Sequence, residues 1–443
     1  MKIKTNLAEY IFIPKLGMII NSELENEATK YIPTDVDEGK ILEELNRELT
    51  DDELESILLS VPSLTLNITE KCNFRCKYCV YSGIYKEPVR SHSLKKMSLS
   101  TAKKAIDFLI KKSTDPKRKI NKEAIEITFY GGEPLLEINL IKKIVAYTEE
   151  RTKCNPKLKF KFVSNTNGYL LNEEIIDYIA EKEIGLDISI DGPMEEHDKF
   201  RVTGNGRGTW NHIMQNIIRI KNKHPEYYNR KIHYFATVHP HHDLKRIDEF
   251  FINRPDLFKK ERIKINFFNF WSLKEEISEQ IKKELKNKNS RGRSSIDEEY
   301  RAMKYDQKLK FRPFSERAKL TGMCFPGRDR LHVEADGVFK ICEKVQINLP
   351  IGNVDYGIDI DKVRVINNKW RKQIIKQRCW ECDFYSICPV CVAQVNDETN
   401  FDFTCSFKKN GIKALTDYVK YKESIIQDVN KHQMNLLNYI DQL

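Results

Sequence analysis

Eleven cysteines in a chain of 443 residues constrain this protein more than any other feature, because they fall in groups rather than evenly. Cys72, Cys76 and Cys79 form the first group, Cys324 and Cys342 the second, and Cys379, Cys382, Cys388, Cys391 and Cys405 the third. Cys154 stands alone and reads as a structural thiol at a helix end. The opening residues, MKIKTNLAEYIFIPKLG, lack a long apolar run and a small-residue cleavage site, and no later window is long and apolar enough to span a membrane. The expected location is therefore the cytoplasm, with no membrane partner. An odd cysteine count in such a chain argues against a disulfide framework and for metal.

Charge excludes less. The formal net charge is +10, yet the 75 Lys and Arg are spread among 65 acids with no concentrated basic tail, so they read as a solvated surface and a nucleic-acid partner is not expected. A hydrophobic fraction of 40% supports two or three domains with real cores.

Along the chain, residues 1–60 begin with β-like runs (Tyr10 to Pro14, Gly17 to Asn21) and continue into an acidic helical stretch from Glu38 to Ser60, a small α+β module. A strand from Leu64 to Thr69 leads into the first cysteine group. Strands and amphipathic helices then alternate: helix Ser100 to Lys112, strand Ala124 to Tyr130, helix Ile138 to Thr152, strand Lys159 to Ser164, helix Asn172 to Lys182 and strand Gly185 to Ile190. Helix Trp210 to Lys223, strand Lys231 to Val238, helix Leu244 to Asn253 and strand Arg262 to Phe268 complete the series. Such βα units predict an α/β fold with a parallel sheet, closed or partly closed, whose six strands fall short of a full eight-stranded barrel. The predicted organisation is an N-terminal module at 1–60, a partial (β/α)6 TIM-like barrel at 61–271, a charged linker and helix at 272–319, a cysteine-rich domain at 320–408 and a closing helix at 409–443. The cysteine-rich part has little hydrophobic periodicity, so metal is expected to supply much of its stability.

Cys72-x3-Cys76-x2-Cys79 follows a predicted strand, where parallel sheets carry their active-site loops. Three thiolates at this spacing can cap one face of a 4Fe–4S cubane and leave the fourth iron open. Spacing alone also allows a three-cysteine zinc site completed by His92 or water.

KCNFRCKYC, followed by FYGGEP at Phe129 to Pro134, resembles the radical SAM superfamily, with Tyr78 at the aromatic position of its cysteine motif. The resemblance implies that the open iron chelates S-adenosylmethionine (SAM) and that one electron splits it to methionine and a 5′-deoxyadenosyl radical. It further implies that Gly131, Gly132 and Glu133 contact the methionyl amino group; glycines permit close backbone approach and a carboxylate suits an ammonium. SNTNG (Ser164 to Gly168), DISIDGP (Asp187 to Pro193) and HDKFRVTGNGRGTW (His197 to Trp210) resemble segments lining the SAM pocket, which makes Ser164 and Arg201 candidate contacts. Ordinary βα turns would use the same Asn, Asp and Gly residues.

The later cysteines, with DGVFKIC (Asp336 to Cys342) and IGNV (Ile351 to Val354), resemble the SPASM extension of these enzymes. By that resemblance Cys379, Cys382, Cys388 and Cys405 hold a distal 4Fe–4S cluster and Cys324, Cys342 and Cys391 a proximal one, three clusters in all with the SAM-binding one. Two residues separate Cys388 from Cys391 where the usual pattern has three. SPASM enzymes modify peptides or proteins, so the implied partners are a precursor peptide or protein and an electron donor such as flavodoxin or ferredoxin. With three cysteines left for the proximal cluster, an open iron there could hold a substrate thiol, and a thioether cross-link is the expected product. Carbon–carbon cross-linking, epimerisation, and Cys or Ser oxidation of a sulfatase remain open. Glu343 stands where sulfatase maturases carry a basic aspartate, and is the candidate catalytic carboxylate. Residues 1–60 resemble a leader-recognition element as well as a plain cap on the barrel. Outside this class, a non-catalytic metal protein that binds nucleic acid is the alternative.

Overall fold

In the computed structural model the described residues are 1–5, 8–13, 18–29, 38–59, 63–85, 91–117, 124–155, 158–239, 241–259, 262–267, 273–288, 325–343 and 348–385, with Cys388, Val392, Val395, Phe401, Cys405, Ile412, Leu415, Thr416, Val419, Lys420 and Glu423. Two compact units divide the chain: residues 1–48, 289–323 and 367–443 form one, residues 49–288 and 324–366 the other.

In the first unit β1 (Lys2–Lys4), β2 (Glu9–Ile13) and β3 (Met18–Asn21) pair antiparallel in the order β1-β2-β3. Phe12 is buried and its ring stacks on Phe384 at 6.4 Å. Helices α1 (Glu25–Thr29) and α2 (Glu38–Asn46) follow. The acidic stretch read as helical from Glu38 to Ser60 is in fact two helices. Thr50 accepts from the Glu53 backbone N–H while Glu53 reaches back to Thr50, a capping box that starts α3 (Asp51–Leu58), which belongs to the second unit, afresh. Arg371 donates to the Glu44 and Arg47 carbonyls at the end of α2, both at 2.7 Å, where a cation also suits the helix dipole.

The second unit is built on six parallel strands in sequence order: β4 (Ser63–Thr69), β5 (Ile125–Gly131), β6 (Phe160–Thr166), β7 (Gly185–Ser189), β8 (Ile232–Val238) and β9 (Ile263–Phe267). Helices α4 (Leu99–Ser113), α5 (Ile138–Thr152), α6 (Glu173–Glu181), α7 (Met194–His197), α8 (Trp210–Lys223), α9 (Pro225–Lys231) and α10 (Leu244–Ile252) connect them, and α11 (Glu275–Lys288) follows. β4 is buried on both faces from Leu64 to Thr69, whereas β5, β6, β7 and β8 alternate in burial. Ile127, Phe129, Phe162, Ile188, Tyr234 and Ala236 lie on a buried face, and Ile188 approaches Ile213 of α8 across Gly168. Glu126, Thr128, Val163, Asn165, Asp187, Ser189, His233 and Thr237 occupy the opposite, less buried face, the inner wall of a partial barrel. Among the described residues the sheet ends at β9 on one side and does not close.

On its other side the sheet continues through the cysteine-rich region. β10 (Leu331–Val333) pairs parallel to β4, with Leu331 opposite Leu64, and β11 (Val338–Lys340), β12 (Pro350–Asn353) and β13 (Gly357–Ile358) add antiparallel. Strands of two to four residues are too short to show a period of two, which is why the sequence around Cys342 lacked a readable pattern. Helix α12 (Ile360–Lys376) follows β13. No helix among the described residues is long and apolar enough to cross a membrane.

Candidate active site

The first three cysteines lie on one loop past the C-terminal end of β4, and each is half-buried. The loop is held to the segment after α7 by a short antiparallel ladder: Arg75 N–H donates to the Val202 carbonyl at 2.8 Å and Lys77 N–H to the Phe200 carbonyl at 3.0 Å. Backbone N–H groups of Phe74 and Tyr81 donate to Cys72 Sγ and Cys79 Sγ, each at 3.4 Å. Burial pushes all three thiols up, Cys76 to about 12. A bound cation reverses that preference, and N–H donors aimed at sulfur stabilise thiolate. Among the described residues no three His, Cys, Asp or Glu side chains crowd closely enough for a single metal ion. A cubane takes one thiolate per iron, and this loop supplies three thiols.

Asp191, just past β7, ties this loop to the rest of the barrel mouth. It is fully buried and accepts from the Tyr78 hydroxyl, from Arg201 Nε at 2.8 Å and from the Thr237 N–H at 2.7 Å. Burial opposes its charge, but the Arg201 guanidinium holds the carboxyl below its ordinary range. Burial likewise opposes the Arg201 cation, and Asp191 more than offsets it. Burial keeps Tyr78 protonated well past the usual phenol range, so Tyr78 donates. Its ring lies 5.4 Å from the guanidinium carbon of Arg201. His197 is buried and its pKa is lowered to about 3, chiefly by burial. The neutral ring accepts from Asp191 N–H at Nδ1 (3.1 Å), which leaves Nε2–H to donate to Thr209 Oγ1 (3.1 Å), and Thr209 donates on to the Arg201 carbonyl (2.9 Å).

Gly131 and Gly132 press directly on the backbone that leads into Cys72. A Cβ on Gly132 would stand 2.3 Å from the Lys71 carbonyl oxygen, and one on Gly131, whose φ is +135°, 2.3 Å from that of Thr69. Only glycine fits either place. Gly132 N–H donates to Thr69 O at 2.7 Å and Glu133 N–H to Lys71 O at 2.9 Å, closing the contact. Glu133 itself is fully buried, and its carboxylate accepts from Leu135 N–H (3.0 Å), Thr166 Oγ1 (2.8 Å) and Asn167 N–H (2.8 Å). Burial raises its pKa to about 7. Its side chain braces the SNTNG turn, and Asn167 continues that brace to Asn73 beside Cys72, at 2.8 Å.

Ser164 lies opposite Phe129 and Leu186 in register, on the buried face, and its hydroxyl has no hydrogen-bond partner among the described residues. Its neighbour Asn165 and, on β7, Ser189 carry the inner wall at this level. Tyr78, Gly131, Gly132, Glu133 and Arg201 are thus gathered around the cysteine loop, whereas Ser164 is turned from the lumen. Asp191, His197, Asn167 and Thr209 join the site without having been singled out. The segments containing them were legible, but which member of each is the hub depends on tertiary pairing.

Cys342 follows β11 and is half-buried, and the neighbouring Glu343 pairs with Arg330 at 2.6 Å. Cys379, Cys382, Cys388 and Cys405 belong to the other compact unit and are half-buried, the first two bracketing a single helical turn. Cys324 and Cys391 lie outside the described residues. Cys154, read as a structural thiol, is exposed just past α5.

A loop of three half-buried thiols at the C-terminal mouth of an open parallel barrel, next to a buried Arg–Asp pair, defines an iron–sulfur radical enzyme architecture. Residues 66–251 match the Radical SAM superfamily, and the chain carries a radical SAM domain. It is homologous to the anaerobic sulfatase-maturating enzymes of the SPASM type. The cysteine-type anaerobic sulfatase-maturating enzyme of Clostridium novyi is 27% identical over 204 residues, 46% of this chain and 49% of that protein. The matches span between 33% and 49% of the length of the first curated relatives. In fold, the chain is similar to native anSMEcpe with bound AdoMet and Cp18Cys peptide (TM-score 0.56, 16% identity, 84% of this chain and 99% of that one). It is also similar to Streptococcus suis SuiB bound to precursor peptide SuiA (TM-score 0.52, 12% identity, 87% and 85%).

Proposed function

We propose that this chain reductively cleaves SAM and uses the resulting radical to modify a ribosomally made peptide or a protein in the cytoplasm. The observation that carries the reading is the cysteine loop, locked to Asp191 and Arg201 through Tyr78 and pressed against Gly131 and Gly132. Cys72, Cys76 and Cys79 would hold a 4Fe–4S cluster, which when bound supplies the electron that splits SAM into methionine and a 5′-deoxyadenosyl radical. The chain's own part is positional. Gly131 and Gly132 let the strand end close on the backbone that leads into Cys72, Arg201 offers its remaining N–H groups to the SAM carboxylate, and Glu133 keeps the SNTNG turn against the loop.

Cys379, Cys382, Cys388 and Cys405 would hold one auxiliary cluster and Cys324, Cys342 and Cys391 a second, so that the reconstituted protein carries about ten to twelve irons. Three protein thiolates at the second cluster leave room for a substrate cysteine, which supports a thioether cross-link as the product. The sulfatase-maturase relatives favour a second reading, oxidation of a substrate Cys or Ser, with Glu343 as the base. Mass spectrometry of a cognate peptide whose acceptor cysteines are replaced by serine separates the two: a two-hydrogen loss without any cysteine rules out the thioether. Deleting residues 1–60 is expected to weaken binding of a long precursor far more than SAM cleavage if that module reads a leader, and equal loss of both would make it a structural cap.

A further inference from the structure

The hairpin of β10 and β11 is buried on both faces, and the two faces differ in kind. Leu331, Val333 and Phe339 are apolar, whereas the alternate residues His332, Glu334 and Lys340 are polar and equally shut away from water. Buried charges of this sort add little stability over apolar side chains of the same size, so what they contribute is the specific bonds they make. Glu334 lies 3.5 Å from Lys340 Nζ and 3.5 Å from His332 Nε2, and its Oε2 accepts from Asn67 Nδ2 on β4 at 2.7 Å. All four residues belong to the second unit. A carboxylate accepts, so the bond fixes which way the Asn67 amide faces. Its Oδ1 is thereby set against Gly131, 2.6 Å from where a Cβ would stand, and accepts no hydrogen bond among the described residues.

We infer that Glu334 is a positioning residue for SAM: acting through Asn67, it sets where the end of β4 and the Gly131–Gly132 turn stand, and so ties SAM binding to the β10–β11 hairpin. The inference rests on the SAM-cleavage reading and deepens it, because Glu334 lies outside the residues 66–251 that match the family. The chain of contacts is continuous. Glu334 holds Asn67, Asn67 abuts Gly131, and Gly131 and Gly132 close on Thr69 and Lys71, which lead into Cys72. A second tie joins the same hairpin to this region, Lys95 Nζ to Asp336 at 2.6 Å, with side chains 44% and 45% exposed. An ion pair that open to water contributes little. The buried bond from Asn67 to Glu334 is therefore the one that holds the hairpin in place against β4.

The test uses the reconstituted full chain with SAM and dithionite, and its Asn67→Ala, Asn67→Asp and Asn67→Asp/Glu334→Gln variants. Asn67→Asp sets two carboxylates face to face; adding Glu334→Gln restores one donor and one acceptor, with the direction reversed and the total charge unchanged. KM for SAM in 5′-deoxyadenosine formation is expected to rise about tenfold in both single variants, the loss of one hydrogen bond to a charged group, with kcat and iron content near native. The change that SAM produces in the electron paramagnetic resonance signal of the reduced protein should require correspondingly more SAM. The double variant should regain native values of both. Asn67→Ala adds no charge, so it decides the matter even where Asn67→Asp fails to fold: a native KM and resonance titration would overturn the assignment. So would a double variant no better than Asn67→Asp, or single variants that lose iron and cleavage in proportion with KM unchanged, which would make the bond a structural strut only. A native chain that makes no 5′-deoxyadenosine with dithionite would instead refute the SAM-cleavage reading beneath it.

Discussion

Arg201 Nε stands 2.8 Å from Asp191 Oδ2, with Arg201 7% exposed and Asp191 fully buried. Removing one partner of such a pair leaves an uncompensated charge, at a cost of about 3 kcal/mol or more. Asp191→Asn should therefore lower unfolding stability by about that amount and loosen Tyr78 and the cysteine loop with it. Anaerobic denaturant titration measures this; a loss below about 1 kcal/mol would show that Asp191 is not the hub.

Gly132→Ala places a methyl against the Lys71 carbonyl, a backbone atom that no side-chain rotation can move aside. The loop must shift, and the cluster site with it. Iron content after reconstitution should drop by about four atoms per chain, while the C-terminal cysteines keep theirs. Full iron loading with unchanged SAM cleavage would contradict the close packing.

The six βα strands and the five longer helices between them were legible because long amphipathic elements declare their period, whereas the short α7 and α9 were not; α5 and α8 begin and end where the periodicity places them, at Ile138–Thr152 and Trp210–Lys223. The cysteine motif and the glycines were legible because few residues can do what they do. What the sequence did not disclose follows from pairing at a distance. Asp191 meets Tyr78 across 113 positions, Ser164 and Asn165 differ only in which face of β6 they occupy, and β10 joins β4 across more than two hundred residues. A run of three residues such as Leu331–Val333 gains its meaning from its neighbour strand rather than from its own pattern.

Asp187 on the inner wall lies 3.8 Å from His233 Nδ1 and 3.9 Å from Lys264 Nζ, yet burial raises its pKa from 3.8 to about 6, with Lys264 only partly offsetting this. A carboxyl with a raised folded pKa favours the folded state at low pH. As pH rises from about 4 to about 6 the unfolded chain ionises first, and that advantage is lost. Asp187→Asn should remove this fall, so that the variant gains roughly 2 kcal/mol relative to the native chain above pH 6. Thermal melts across that range check it, and parallel curves for the two proteins would contradict it.

The central claim is that Cys72, Cys76 and Cys79 hold the cluster that cleaves SAM, and one measurement addresses it directly. The anaerobically reconstituted native chain and its Cys76→Ala variant are each incubated with SAM and dithionite, and methionine, 5′-deoxyadenosine, iron and zinc are quantified. The native chain should form methionine and 5′-deoxyadenosine in equal amounts, while the variant forms neither and has lost about four irons. Zinc in place of iron, or 5′-deoxyadenosine from the Cys76→Ala protein at the native rate, would contradict the account.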